Sequence, residues 1–488
     1  MSENIAKARK LFEGVTGIDD ELIYRALELD DRAEMKRGRV RFTAFGIAAA
    51  AAVVVAGAGL GKALAPENLL MVAAAQIPND TIYETLDYDE RVSVIDNARE
   101  SGEELTDFYS DTVRTFLAGG EGNRVFSPAC VYNELSMAAE ITDGNTRAQI
   151  LELLDVQDIG TLRTQTRNLW LTDYRPSSKG RVVTASSLWL NESIPYKRDV
   201  FDILTQDYFA SVFSGKMGSD RYDRALSGWI NGQTGGLLKK YSDRLTMEVP
   251  EGYDVGILEL VSTVYFNAGW SNEFIVKNTQ PYTFHAPDRD VTCDFMKNTF
   301  TGAYFWGEKF SGCVLGFKEN GATMRLILPD EGYDTDDLLN DPEAMTYISD
   351  GTKFNGDYVQ VSDTSGCKHL EIDLALPKFD ISENVDLRAG LKDLGVTDIF
   401  DMFKANFSPL TDMEYVAAAR MTTASRVMID EEGCRAASYV EMNFNAGAAM
   451  PPDDHAELKL DRPFIFTIFT LWGQPLFCGV VRDPTITD

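Results

Sequence analysis

Histidine is scarce in this chain: three in 488 residues, His285, His369 and His455, none spaced to share a helix face. A histidine-based triad or metal centre has little to draw on. The six cysteines, Cys130, Cys293, Cys313, Cys367, Cys434 and Cys478, include no C-x-x-C pair and no zinc-like spacing. Buried free thiols are expected instead. A Gly-x-Ser-x-Gly nucleophile elbow is missing, and no carboxylate pair stands out from the general acidity, which counts against an enzyme. No cofactor and no metal is expected. Basic residues are few, 46 Lys and Arg against 76 Asp and Glu, for a formal net charge of -30. Residues 1–41 carry nine of each sign, so the excess falls entirely on the rest. Such a surface repels nucleic acid, which is excluded as a partner, and favours neutral or cationic ones.

What is present begins with apolar content. At 44% hydrophobic the chain is too apolar to be mostly disordered and too long for one ordinary domain. Residues 42–61 lack charge and include Ala48-Ala-Ala-Ala-Ala-Val-Val-Val-Ala56, long enough to cross about 30 Å of hydrocarbon as a helix. The basic cluster Lys36-Arg37-Gly38-Arg39-Val40-Arg41 precedes it and is expected to stay cytoplasmic, with everything after Lys62 outside. The expectation is a cytoplasmic tail over 1–41, a transmembrane helix over 42–61, a stalk over 62–100 and a large extracytoplasmic domain over 101–488. A cleaved signal peptide ending near Ala63-Leu64-Ala65, giving a secreted protein, is the alternative, disfavoured by the length of the apolar run. The string Gly57-x-Gly59-x-Gly61-Lys62 lacks a preceding strand and is read as a close-packing helix surface, not a phosphate loop.

Within the large domain helical patterns come first. Leu105, Tyr109, Val113 and Phe116 share one face, and Leu135, Met137, Ala138 and Ile141 suggest another. Later runs are β-branched or aromatic: Ile257–Phe266, Met324–Leu328, Leu370–Leu376 and Phe464–Leu471. The class is α+β, without internal repeats.

A resemblance covers nearly all of this domain. Asn123-Arg-Val-Phe-Ser-Pro128, Leu135-Ser-Met137, Gly144-Asn-Thr146, Trp229-Ile-Asn231, Val264-Tyr-Phe266 with Trp270 and Phe274, Leu376-Pro-Lys-Phe379, Leu394-Gly-Val396, Asp461-Arg-Pro-Phe464 and Pro475-Leu-Phe477 stand in the order and at the spacing of the serpin family. The chain thus resembles a serpin, bacterial-type with an N-terminal membrane anchor. Departures are Cys130 and Ser262-Thr263, where the family has serine and Asn-Ala, and the absence of the family's histidine from Thr422–Arg426. The resemblance implies helices packed on a large, mainly antiparallel sheet plus smaller sheets, with an exposed reactive loop at about 431–462. It also implies a monomeric suicide inhibitor of a serine protease: the loop is cut, an acyl-enzyme forms, and the loop inserts as an extra strand. A serpin fold kept only for binding at a surface is the alternative.

Insertion requires side chains to alternate between core and solvent. From Cys434 the inward set is Cys434, Ala436, Ser438, Val440, Met442 and Phe444; Arg435, Ala437, Tyr439, Glu441 and Asn443 point outward. Every charge falls outside, and no proline interrupts before Pro451. The hinge implied by the resemblance comprises Glu431, Glu432, Gly433, Cys434, Arg435, Ala436, Ala437, Ser438 and Tyr439. The family's usual loop length places the attacked bond at Gly447-Ala448, with Ala446, Ala449 and Met450 as neighbours in contention. Small side chains there suit a shallow pocket of the elastase kind.

Overall fold

A computed structural model describes residues 70–177, 180–234, 256–352, 365–434 and 454–486. Helices dominate the first third, and side-chain caps start three of the first six. Strand β1 (Leu70–Ala73) is followed by the one-turn α1 (Ile82–Thr85) and by α2 (Tyr88–Glu104), where Asp87 and Glu90 form a reciprocal capping box. Next come α3 (Thr106–Leu117), β2 (Arg124–Phe126) and α4 (Pro128–Ile141). Ser127 caps α4 by accepting from the Cys130 N–H, with Pro128 in the first turn, where no donor is lost. Helices α5 (Gly144–Leu153) and α6 (Ile159–Asp173) follow, α6 capped by Asp158.

Strands then alternate with helices: β3 (Arg181–Asn191), α7 (Asp199–Gln206), β4 (Ala210–Gly215), α8 (Asp220–Gln233) and β5 (Gly256–Gly269). Strands β6 (Gln280–His285), β7 (Asp290–Trp306), β8 (Phe310–Gly316) and β9 (Thr323–Pro329) form a meander in which each of the last three runs antiparallel to the one before. Two short helices, α9 (Thr335–Leu339) and α10 (Pro342–Ser349), lead to β10 (Gly366–Pro377), β11 (Phe379–Asp386) and α11 (Arg388–Asp393). The chain closes with β12 (Ala417–Asp430), β13 (Gly433–Cys434), β14 (His455–Lys459), β15 (Phe464–Phe469) and β16 (Pro475–Val481).

Two sheets organise these elements. The first has seven strands in the order β1-β4-β3-β5-β13-β12-β11; the second has nine, β14-β10-β7-β8-β9-β15-β16-β2 with β6 on β7. Alternation along β5 decides what each face buries. Leu258 and Leu260 pack into the helix-rich core with Leu135 and Ala138 of α4. Val264, Phe266 and Ala268, further along the same face, join Phe295, Leu326 and Phe464 of the second sheet. The opposite face, at Val261, lies under α8 with Trp229, Trp189, Phe213 and Ala424. The α+β class and the helices-then-strands order are as the sequence implies.

Two expectations need correction. Residues 70–100, read from the sequence as part of a stalk, contain an edge strand of the first sheet, Leu70–Ala73 beside Ala210–Gly215, and most of α2. Ile77, Leu86, Val94 and Ile95 pack against Ile82, Trp170 and Tyr174. The expected single-pass placement in a cell membrane is not supported either. Among the described residues no helix is long and apolar enough to cross a membrane. A span needs about 20 apolar residues, whereas the longest described helix, α2, has 17 and starts with Asp89, Glu90 and Arg91 in its first turn. The tail at 1–41 and the span at 42–61 lie outside the described residues.

Candidate functional site

The site is a fork in the first sheet. From Gly256 to Ser262, β5 pairs in parallel with Ala417–Thr423 of β12, with register shifts near Ala418. Beyond that point the strands part. Thr263–Asn267 keep their partners on β3 and Ala424–Met428 keep theirs on β11, but among the described residues no pairing joins these two stretches to each other. Buried hydroxyls of Thr263, Thr422 and Ser425 lie along the fork without hydrogen-bond partners.

Beyond the open stretch the two strands hold β13 between them. Chain direction reverses in a tight turn: Asp430 pairs with Gly433 and Ile429 with Cys434, while Gly433 and Cys434 pair antiparallel with Gly269 and Ala268 of β5. Gly433 adopts φ +153°, and a Cβ there would sit 2.2 Å from the Ala268 carbonyl oxygen, so only glycine fits. Trp270 pins the turn twice: its N–H donates to the Glu432 carbonyl (3.2 Å) and its indole Nε1 to the Asp430 carbonyl (2.8 Å). The indole is itself fixed by stacking on Phe317.

Glu431 anchors the other side of the turn. Its Oε1 lies 2.8 Å from Lys378 Nζ and accepts from Thr279 Oγ1 at 2.8 Å. Burial tends to raise its pKa, but the bonds from Lys378 and Thr279 outweigh that and hold the carboxyl below the usual range. Glu432, one residue on, is exposed. Cys434 is buried among the residues that face the second sheet, and burial pushes its thiol well up, making it a packing group and not a nucleophile.

The loop rejoins the fold on the other sheet. His455–Lys459 lie parallel to Glu371–Ala375 as its edge strand, with Lys368 Nζ 3.0 Å from Asp454 and His455 Nε2 2.8 Å from Asp373 Oδ2. Of the expected hinge, Glu431, Glu432, Gly433 and Cys434 meet at the fork. Arg435, Ala436, Ala437, Ser438 and Tyr439, and the bond candidates Ala446, Gly447, Ala448, Ala449 and Met450, lie outside the described residues.

The sequence departures converge at the base of the fork. Cys130 takes the Ser127 cap, and Ser262 Oγ lies 3.0 Å from Ser186 Oγ. Sequence reasoning missed Trp270 as a pin, Lys378 and Thr279 as anchors, and Glu134 on α4. The last had a signal: a carboxylate directly before the apolar positions Leu135, Met137 and Ala138 of a helical pattern. All six cysteines are free thiols, five of them buried, as expected. Among the described residues no acidic, cysteine or histidine group is arranged to hold a metal ion.

An α+β protein whose seven-stranded sheet parts between β5 and β12, with Gly433 and Cys434 held between them at the open end, is the class this geometry defines. The chain belongs to the serpin family: the family model described as Serpin (serine protease inhibitor) matches residues 103–484. It is 26% identical over 375 residues to an uncharacterized serpin-like protein of Thermococcus kodakarensis, covering 75% of this chain and 82% of that one. Plasminogen activator inhibitor 1 of Sus scrofa is 26% identical over 398 residues, covering 78% and 91%. The crystal structure of the thermophilic serpin tengpin in its native state superposes with a TM-score of 0.67 at 22% identity, over 85% of this chain and all of tengpin. The family is one of serine protease inhibitors, so a serine protease is the partner class and the chain is not an enzyme.

Proposed function

We propose that this chain is a suicide inhibitor of elastase-like serine proteases, its inhibitory domain extending from the edge strand at Leu70 through the expected 101–488 and its reactive loop at about 431–462. The protease serine attacks the Gly447 carbonyl, the amine of Ala448 leaves, and an acyl-enzyme forms on Gly447. The freed hinge, Glu431 to Tyr439, then enters the first sheet faster than water releases the protease. The observation that carries this reading is Cys434, paired between β5 and β12 at the mouth of a stretch where those strands pair with nothing between them among the described residues. A strand entering there gains backbone partners on both sides at once. The target class is read from the small side chains of Ala446, Gly447, Ala448 and Ala449. The name of the Sus scrofa relative points to plasminogen activator, and that target is not carried over at 26% identity.

The test has two parts. Mixed with an elastase, the protein forms a complex that survives denaturing electrophoresis and releases a peptide beginning at Ala448. Continuing the pairing of Cys434 with Ala268 and Ile429 brings Ala436 between Phe266 and Val427, both buried against the second sheet. Ala436→Arg therefore forces an unpaired guanidinium into that core at a cost of several kcal/mol, and the variant is cut at the same bond without trapping the enzyme. Ala437→Arg falls on the opposite face, beside Tyr265 and Arg426, and inhibits nearly as wild type. Cleavage without any trapped complex in the wild-type chain would leave a serpin fold used only for binding.

A further inference from the structure

Glu134 is the least expected group near the fork. It is wholly buried on α4, between the helix-rich core and the first sheet. Its Oε1 accepts from the Ser262 N–H at 2.9 Å, and its Oε2 has no hydrogen-bond partner. Burial raises its pKa well above the ordinary carboxyl value and nearby Glu259 adds to that, opposed by the backbone N–H groups of Ser262 and Thr422. An apolar side chain would pack here at lower cost. The carboxyl therefore does something an apolar group could not.

Its place in the sheet says what. Ser262 is the last residue of β5 paired with β12 before the strands part. The N–H of Trp270 points at the hinge, donating to the Glu432 carbonyl. No register shift interrupts the pairing of β3 with β5 between Leu258 and Asn267, so strand alternation turns the N–H of every second residue, Ala268, Phe266, Val264 and Ser262, toward the same side. Counting on from Cys434 opposite Ala268 brings Val440 opposite Ser262.

We propose that Glu134 is a positioning residue for strand insertion: its carboxyl occupies the backbone donor of Ser262 that the Val440 carbonyl takes when the loop is fully inserted. Entry as far as Tyr439 leaves the carboxyl in place, and entry beyond it requires that the carboxyl be displaced. Glu134 thus stands at the boundary between a partly and a fully inserted loop. The inference rests on the loop-insertion reading above.

The test compares the melting temperature of the full chain before and after limited cutting of the loop by an elastase, in wild type, Glu134→Met and Glu134→Gln. Methionine fills the volume but accepts no backbone hydrogen bond, so the intact form loses the Ser262 contact while the cut form loses nothing. The gain in melting temperature on cutting then widens by roughly 2–4 °C over wild type. Glutamine keeps an acceptor oxygen, and its gain matches wild type. A methionine variant whose cut and intact forms shift equally would show Glu134 to be an ordinary buried side chain and would overturn this inference alone. A wild-type chain that gains nothing on cutting would overturn the insertion reading and this inference with it. The glutamine variant, closest in shape, decides the matter if the methionine variant does not fold: a gain clearly different from wild type counts against the acceptor role.

Discussion

Asp173 closes the last turn of α6 in the interior, where neither of its carboxyl oxygens has a hydrogen-bond partner, and burial pushes its carboxyl up to about 7 against the opposing pull of the nearby Thr470 hydroxyl and the charge of Arg175. An unfolded aspartate titrates near 3.9, so between roughly that value and 7 the folded chain holds a proton that the unfolded chain has released. Stability attributable to this group therefore falls as pH rises through that window and stays low above it. Asp173→Asn removes the ionisation. Relative to wild type it gains up to a few kcal/mol between about pH 4 and pH 8, at about 1.4 kcal/mol for each pH unit separating the folded and unfolded titrations, read from urea unfolding at the two pH values. A difference that did not change with pH would remove the assignment. At this scale composition was informative where it was negative: scattered cysteines without a C-x-x-C pair pointed to buried thiols, and five of the six are buried. Individual partners such as Lys378 for Glu431 were not legible, because residues so far apart in the chain meet only once the sheets have formed.

The hairpin of β12 and β13 is the smallest element on which the proposed loop insertion depends, and it tolerates one backbone conformation at its exit. Gly433→Ala places a methyl against the Ala268 carbonyl oxygen and demands φ +153° of a residue with a Cβ, a strain of about 1–3 kcal/mol. The expected outcome is that β13 leaves the sheet, and hydrogen exchange reads it directly: the Trp270 amide, bonded to the Glu432 carbonyl, loses protection. Unchanged protection there would mean that the turn is held by something other than the Gly433 fit. Long elements were the easiest to read from sequence. Ile257–Phe266 and Leu370–Leu376 fall inside β5 and β10 because their alternation or continuous burial leaves a periodic trace. By contrast α2 left little trace, since few of its residues are buried and its exposed turns are charged. The edge strand Leu70–Ala73, four residues long, is too short to show a period.

On the scale of the whole molecule, the seven-stranded sheet is continuous toward both edges and, among the described residues, parted along one stretch between β5 and β12, the gap into which the adjoining loop is proposed to insert. The fold was legible because many short motifs in fixed order, each weak alone, span the domain. The fork was not, because where β5 and β12 part they are met by a carboxyl from α4 and a turn pinned by Trp270, contacts between distant parts of the chain. The central claim is that the strand can be added. An inserted strand gains backbone hydrogen bonds on both sides and buries Val440, Met442 and Phe444, at roughly 1.5–3 kcal/mol for each large apolar side chain. The most direct measurement is the melting temperature of the intact chain against that of the chain cut once between Ala446 and Met450. Strand addition predicts a sharp rise on cutting; a cut chain that melts with the intact one would contradict it.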